Sequence, residues 1–527
     1  MSVIEKKIVP IIFFLLFLPM LYMHSIEWFN GYGDNAFLGE LINNISNTGK
    51  PSNQINASVY NLFTFLGKSP AEVLKRRLDG PDPKKINQFK KHTYLILYLI
   101  SPLTYIMPDR ILIPGLKILS FLSMIFLIYY FLRSKGVDIV SATIFCLFIS
   151  SHPVWSYGLY GQMYVDRLFL PLGTLFLFTL TSENIQRKWL LIISLLCFTI
   201  TDRVGAICGM AIICFTLLNW KKYKGNRVFL FSLAGALILG SLLIIKFYMN
   251  NSDYGSFSSS FHPRTFLNLY ETYPGFSYKL HIFIFLNFLF FGFFGFFDLK
   301  TFLVAIILMI PNIMGNIGGA EKTGWYTHYH MLYFPFLVWA LANGYIKIYK
   351  KFGKNFSIKR KIVFNASICV LLLFFAGFYP YSSQNLAFDT KNLGQLAWIK
   401  GFTDFPSYLR NGHRYNGMQQ RKNIEKQIPR NVIISTMEPL FTTLYKDREI
   451  HIYPAGIDIA DYLILNYSPN ATEGTKYTGA ASYAGPEAIK ELDIGLNKRM
   501  VKLGFDVDNP IVIGPWAILE KKVAKTH

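Results

Sequence analysis

The side chains in this sequence that could handle protons or phosphate are few, and they stand at the ends of apolar runs. Asp34 follows Asn30-Gly31-Tyr32-Gly33, where glycines allow a close backbone approach beside a carboxylate. His92 opens a short apolar stretch, Asp166-Arg167 begins a longer one, and Asp202-Arg203 separates two others. His328-Tyr329-His330 precedes the run that starts at Met331. A carboxylate can accept the proton of an attacking hydroxyl. Fixed cations such as Arg203, Arg167 or a charged His92 stabilise a phosphate leaving group. Charge beside hydrocarbon is costly, which makes each of these residues a candidate for function.

Each also has a plainer reading. Asp166-Arg167 and Asp202-Arg203 fit helix-end charge pairs, and Glu40 fits a solvated helix face. His328 and His330, two residues apart, suit a metal on a strand but not on a helix. They equally suit an aromatic belt with Trp325, Tyr326 and Tyr333. No cofactor is fixed by the sequence, and a divalent cation is the one left open. The basic clusters Arg76/Arg77 and Lys84/Lys85 read either as contacts to a lipid-linked phosphate or as solvated loop charge.

The elements that must position these groups belong in lipid. Of 527 residues, 52% are hydrophobic, only 16% are charged and 48 are Phe, and mean hydropathy is +0.31. Long apolar runs such as 280–297 have no place in a soluble domain of this size. The formal charge of +22 comes from basic residues beside apolar segments, as in Lys221/Lys222/Lys224/Arg227 and Lys350/Lys351/Lys354/Lys359/Arg360/Lys361. That is topological charge, not a nucleic-acid footprint, so no nucleic-acid partner is expected. The cysteines 146, 197, 208, 214 and 369 all lie in apolar stretches and read as small core residues.

The expected fold class is mainly α: a polytopic membrane protein of about eleven transmembrane helices with a C-terminal extracytoplasmic α/β domain. The first span, 8–23, lacks a cleavage site and stays attached. With Lys6 and Lys7 inside, residues 27–91 form a long external loop. Residues 92–107, interrupted by Pro102, read as a re-entrant or interfacial piece. The turns 183–188, 219–227, 298–300 and 347–361 then fall inside, while Asp34, His92, Asp166, Asp202, His328 and His330 converge outside. The division expected is a membrane domain over 1–379, including the loop 27–91, and a soluble domain over 380–527. In the latter, 431–436, 450–453, 462–466, 510–513 and 516–520 read as strands, and 438–446 and 486–503 as helices. No phosphate loop or dinucleotide fingerprint is present.

Several short motifs resemble a known family. They are Gly33-Asp34-Asn35-Ala36-Phe37, Lys91-His92 with Ser101-Pro102-Leu103, and Thr201-Asp202-Arg203-Val204-Gly205. Tyr329-His330 with Phe334-Pro335-Phe336 and the segment Ile428-Pro429-Arg430-Asn431-Val432-Ile433-Ile434-Ser435 complete the set. The chain resembles the bacterial membrane proteins grouped as domain of unknown function 2079, similar in turn to the GT-C superfold of membrane glycosyltransferases. It departs from that pattern around Asp166, where a His-Pro pair is more usual, and in having no second acid directly after Asp34.

The resemblance implies a multi-pass protein of the bacterial cytoplasmic (inner) membrane. It implies transfer of a sugar from a polyprenyl-phosphate carrier to an envelope glycan or protein acceptor on the external face. Asp34 would be the catalytic base, and His92, Asp166, Arg167, Asp202, Arg203, His328 and His330 would bind substrate or phosphate. A transporter or flippase of a lipid-linked saccharide is the alternative and predicts charges deep in several spans. A non-catalytic envelope assembly protein is the third reading.

Overall fold

Without water to satisfy it, backbone inside a bilayer must bond to itself, and the apolar runs accordingly fold as helices. The computed structural model describes residues 3–27, 33–63, 68–80, 85–90, 92–152, 154–155, 163–249, 276–314, 329–353, 363–370, 406, 418–471, 476–479 and 486–522. The chain forms two compact units. One comprises Met1–Leu21, Phe89–Leu99 and Gly115–Phe405, and the other Tyr22–Gln88, Ile100–Pro114 and Pro406–His527.

The described helices are α1 (Val3–Glu27), α2 (Gly33–Thr48), α3 (Gln54–Phe63), α4 (Pro70–Lys75), α5 (Leu97–Ile100), α6 (Asp109–Ser134), α7 (Ile139–Ser150) and α8 (Phe169–Thr181). They continue with α9 (Arg187–Phe198), α10 (Val204–Leu218), α11 (Arg227–Leu243), α12 (Phe276–Gly295), α13 (Leu299–Met314) and α14 (Phe334–Ile348). Among the described residues, four helical stretches are long and apolar enough to cross a membrane: Glu5–Ile26, Asp109–Ser134, Lys224–Tyr248 and Asn287–Ile310. The others are shorter, α7 with 12 residues and α8 with 13. The expected piece at 92–107 is α5 followed by a 3-10 turn over Ser101–Tyr105. At about 1.5–2 Å per residue neither reaches across a core of about 30 Å.

The centre of the first unit is α14, which packs on α8, α12 and α13. Nearly all of it is buried, from Phe334 to Ile346. Trp339 stacks on Phe131 with ring centres 4.1 Å apart, and Tyr345 stacks on Phe145 at 4.5 Å. Gly344 meets the backbone of α12 so closely that a Cβ there would lie 1.8 Å from the Phe294 carbonyl oxygen. Small residues let apolar helices approach where lipid offers no hydrophobic drive. The same device joins α10 to α11, where a Cβ on Gly209 would lie 2.8 Å from the Ala234 carbonyl. Glu5 of α1 is buried against α6, accepting from Arg133 Nη2 and Tyr129 Oη, each at 2.8 Å. All five cysteines are free thiols, and Cys146, Cys197 and Cys208 are buried.

The second unit is built on a six-stranded mixed sheet of β3 (Ile433–Thr436), β4 (Glu449–Ile452), β5 (Tyr462–Tyr467), β6 (Tyr477–Thr478), β7 (Ile511–Ile513) and β8 (Trp516–Glu520). The order is β4-β3-β5-β8-β7, with β6 also on β5. β3 runs parallel to β4 and β5, whereas β8 is antiparallel to β5 and β7. The β-branched runs read from sequence are these strands, and 486–503 is the helix Pro486–Lys502. A further helix, Met418–Gln427, has a polar sequence with no apolar stripe to announce it.

The described residues 33–63, 68–80 and 85–88 belong to this unit. β1 (Ser52–Asn53) pairs with β2 (Ile86–Asn87), and α3 lies along the edge strand β4. An edge strand presents unpaired backbone groups. Here Gln54 brackets residue 450, its Oε1 accepting from the Ile450 N–H at 2.9 Å and its Nε2 donating to the Ile450 carbonyl. Ser58 Oγ accepts from the Ile452 N–H at 2.7 Å.

Candidate functional site

Asp202 and Arg203 occupy the tight connection between α9 and α10. Gly205 makes that turn possible, because a Cβ there would lie 2.4 Å from the Phe198 ring and 2.5 Å from Ser241 Oγ. The Ile96 N–H donates to the Thr199 carbonyl at 2.7 Å, which ties the segment carrying His92 to the same connection. His92 Nδ1 consequently lies 3.8 Å from Asp202 Oδ1, and Arg203 Nε lies 3.8 Å from Asp202 Oδ2. The Asp202 side chain is only 3% exposed, whereas His92 and Arg203 retain 24% and 28%. The acid is enclosed and its two partners are partly accessible.

Asp166 and Arg167 lie in a 3-10 turn, Val165–Leu168, that leads into α8, and all four of its residues are buried. The guanidinium of Arg167 sits 5.8 Å from the centre of the Phe121 ring and 5.4 Å from that of Tyr164. Such aromatic faces accommodate a desolvated arginine. The turn Tyr329–Leu332 packs against Val165–Leu168 and brings His330 to this neighbourhood. There His330 Nδ1 is hydrogen-bonded to Tyr333 Oη, and the residue is buried.

Electrostatics separates the two acids. Burial pushes the Asp166 carboxyl up to about 7, with Arg203 opposing the shift and the neighbouring Asp202 carboxylate adding to it. Burial acts on Asp202 in the same sense, but the His92 imidazole and the Arg203 guanidinium outweigh it and hold that carboxyl below its usual range. A pair of acids driven apart in this way gives one group able to exchange a proton near neutrality and one fixed negative charge.

The structure thus brings together five of the residues singled out by sequence: His92, Asp166, Arg167, Asp202 and Arg203. His330 reaches the same region through its turn, and His328 lies outside the described residues. Asp34 lies in the first turn of α2, in the other compact unit, and its side chain is outside the described residues. Among the described residues no group of three or more His, Cys, Asp or Glu could hold a metal ion.

Sequence reading passed over His152, which is fully buried with its ring centre 4.9 Å from that of Phe290 and 5.2 Å from that of Phe334. It also passed over Phe121. The signal for the first was present in Ser151-His152-Pro153 at the close of an apolar run. The second is one Phe among 48.

The description "Predicted membrane protein (DUF2079)" matches residues 56–481. No curated protein matches. Among solved structures, the crystal structure of ArnT from Cupriavidus metallidurans bound to undecaprenyl phosphate is similar, with 11% identity, a TM-score of 0.49 and coverage of 99% of both chains. That likeness is too loose to carry residues or activity across.

Proposed function

Because the chain belongs to the DUF2079 family of predicted membrane proteins, we propose a membrane-embedded function for the site: transfer of a sugar from a polyprenyl-phosphate carrier to an envelope acceptor. The observation that carries this reading is the position of Phe121. Its ring lies beside the buried Arg167 guanidinium, and it also lines an apolar cavity of about 340 Å³ bounded by α1, α6 and α7. Leu16, Met20, Leu122 and Phe126 line the same cavity. A lipid phosphate has that pair of needs, a cation for its head and a dry channel for its chain.

In the reaction proposed, the acceptor hydroxyl attacks the anomeric carbon, the bond from that carbon to the phosphate oxygen breaks, and the polyprenyl phosphate leaves. Asp166, half-ionised near neutrality, takes the proton of the attacking hydroxyl. Arg167 and Arg203 receive the charge that develops on the leaving phosphate. Asp202 holds Arg203 and His92 in place. Asp34 remains the base suggested by resemblance, and Asp166 is the one that the burial and charge pattern favours. The external orientation of the site belongs to the same proposal.

The test is transfer of labelled sugar from polyprenyl-phosphate donors in membranes carrying wild type, Asp166→Asn or Asp34→Asn. Loss in a normally folded Asp166→Asn protein supports the assignment, and loss in Asp34→Asn alone moves the base to α2. Full transfer by both variants removes each acid from the mechanism.

A further inference from the structure

α8 begins beside Asp166 and α10 beside Asp202, and the opposite ends of these two helices border a second polar centre. A cavity of about 520 Å³ opens there, lined by Lys135, Lys222, Lys300 and Lys347 together with Glu183 and Asp298. The four lysines come from four separate places: after α6, after α10, at the start of α13 and at the end of α14. Nothing in the sequence spacing announces them as a group.

Their partners differ. Lys347 Nζ lies 2.6 Å from Asp298 Oδ1, a closed ion pair. Lys135 stands 3.9 Å from Glu183, whose side chain is 90% exposed. Lys222 donates to the Thr181 carbonyl at 2.7 Å, and Lys300 to Asn219 Oδ1 at 3.5 Å. Neither of the last two has a carboxylate within ion-pair distance among the described residues, so the cavity holds a surplus of positive charge. Partial burial and the nearby Lys135 ammonium push the Lys222 amine below its ordinary range, as crowding of like charge requires. Phe131, Phe178 and Tyr223 supply an aromatic surface within the same cavity.

We propose that this cavity binds a phosphate-bearing organic anion through the ammonium groups of Lys135, Lys222 and Lys300. Lysine is a point-charge donor suited to phosphate. The volume exceeds the need of a bare ion, and the aromatic surface accommodates the organic part. Basic pockets between helix ends are also where anionic lipid headgroups dock. The phosphate comes either from such a headgroup or from a soluble phosphate ester. The site stands apart from the sugar-transfer reading and does not depend on it.

The full-length protein purified in neutral detergent is titrated calorimetrically with glycerol phosphate. In parallel, nanodiscs of phosphatidylcholine with and without phosphatidylglycerol are compared by the lipid that the protein retains in native mass spectrometry. Saturable binding in either arm, weakened roughly tenfold by Lys222→Gln with Lys300→Gln and unchanged by Lys221→Gln, is the expected result; that loss is typical for charge-assisted contacts. Binding of glycerol phosphate identifies a soluble ester, and selective retention of phosphatidylglycerol alone identifies a headgroup. No saturable binding of either probe, or binding that the double variant keeps in full, overturns the proposal. Should the double variant lose its fold, Lys300→Gln alone, at an exposed position, gives the same reading with a smaller drop.

Discussion

The buried carboxylates of the sheet unit and the one in the connection between α9 and α10 are held in opposite ways. In the sheet unit Asp109, Asp458 and Glu40 are closed into short bonds. Asp109 accepts from Asn43 Nδ2 at 2.7 Å and from Tyr445 Oη, with Lys446 Nζ at 3.0 Å. Asp458 is gripped by Arg499, through Nε at 2.8 Å and through Nη2, and also accepts from the Leu78 N–H at 2.6 Å. Glu40 accepts from the Gln54 and Ile55 N–H groups at 2.9 and 3.0 Å. In the helical unit the connection between α9 and α10 leaves Asp202 at 3.8 Å from both His92 and Arg203. Acids closed into bonds hold a fold together, whereas Asp202, enclosed at longer range beside the partly exposed His92 and Arg203, supplies a fixed negative charge next to two accessible side chains.

The comparison breaks most visibly if activity and stability fail to separate. Asp166→Asn should reduce sugar transfer by about a hundredfold or more, the usual weight of a general base, while leaving the yield of folded protein intact; a parallel thermal-unfolding trace tells the two apart. Asp458→Ala should do the reverse. It leaves Arg499 without its partner and should destabilise the sheet unit by about 3 kcal/mol, read as a lower unfolding temperature and faster proteolysis near Leu78 and Asp458.

Acidity sharpens the contrast. A carboxyl held above its unfolded value contributes stability that is present at low pH and lost as pH rises through the folded value. For Asp166 the loss should therefore develop as pH rises from the ordinary carboxyl value of 3.8 to about 7 and be complete above it. Wild type should lose thermal stability over that interval relative to Asp166→Asn, and identical pH profiles would refute the burial of a titrating acid there. Smallest is Gln54→Ala, which removes the bracket on β4 and should cost about 1–2 kcal/mol, seen as faster amide exchange at Ile450.

Much of the fold was legible in the sequence because it is periodic or locally composed. β-branched runs gave the strands, and apolar length gave α6. The acid–base doublets 166/167 and 202/203 were legible as candidates because a charge pair at an apolar boundary stands out in one dimension. The packing of α3 on β4 was not legible, because Gln54 and Ser58 have no pattern and find partners almost four hundred positions away. The lysine cavity was hidden for the same reason, its members being single residues of separate turns that read as topological charge. Asp34 drew attention through flanking glycines, a local cue that says nothing of neighbours in space.

The bracket that Gln54 places on residue 450 also sets a timetable. Its two ends are 396 positions apart, so the segment that covers β4 leaves the ribosome long before the strand exists. Contacts of such sequence separation form late and slowly. The first-made polar segment must wait, after every apolar helix of the chain has been inserted, for its last-made partner. The sheet unit is accordingly the part of the protein finished last, and a chain stopped short of residue 449 would leave α3 with no strand to cover.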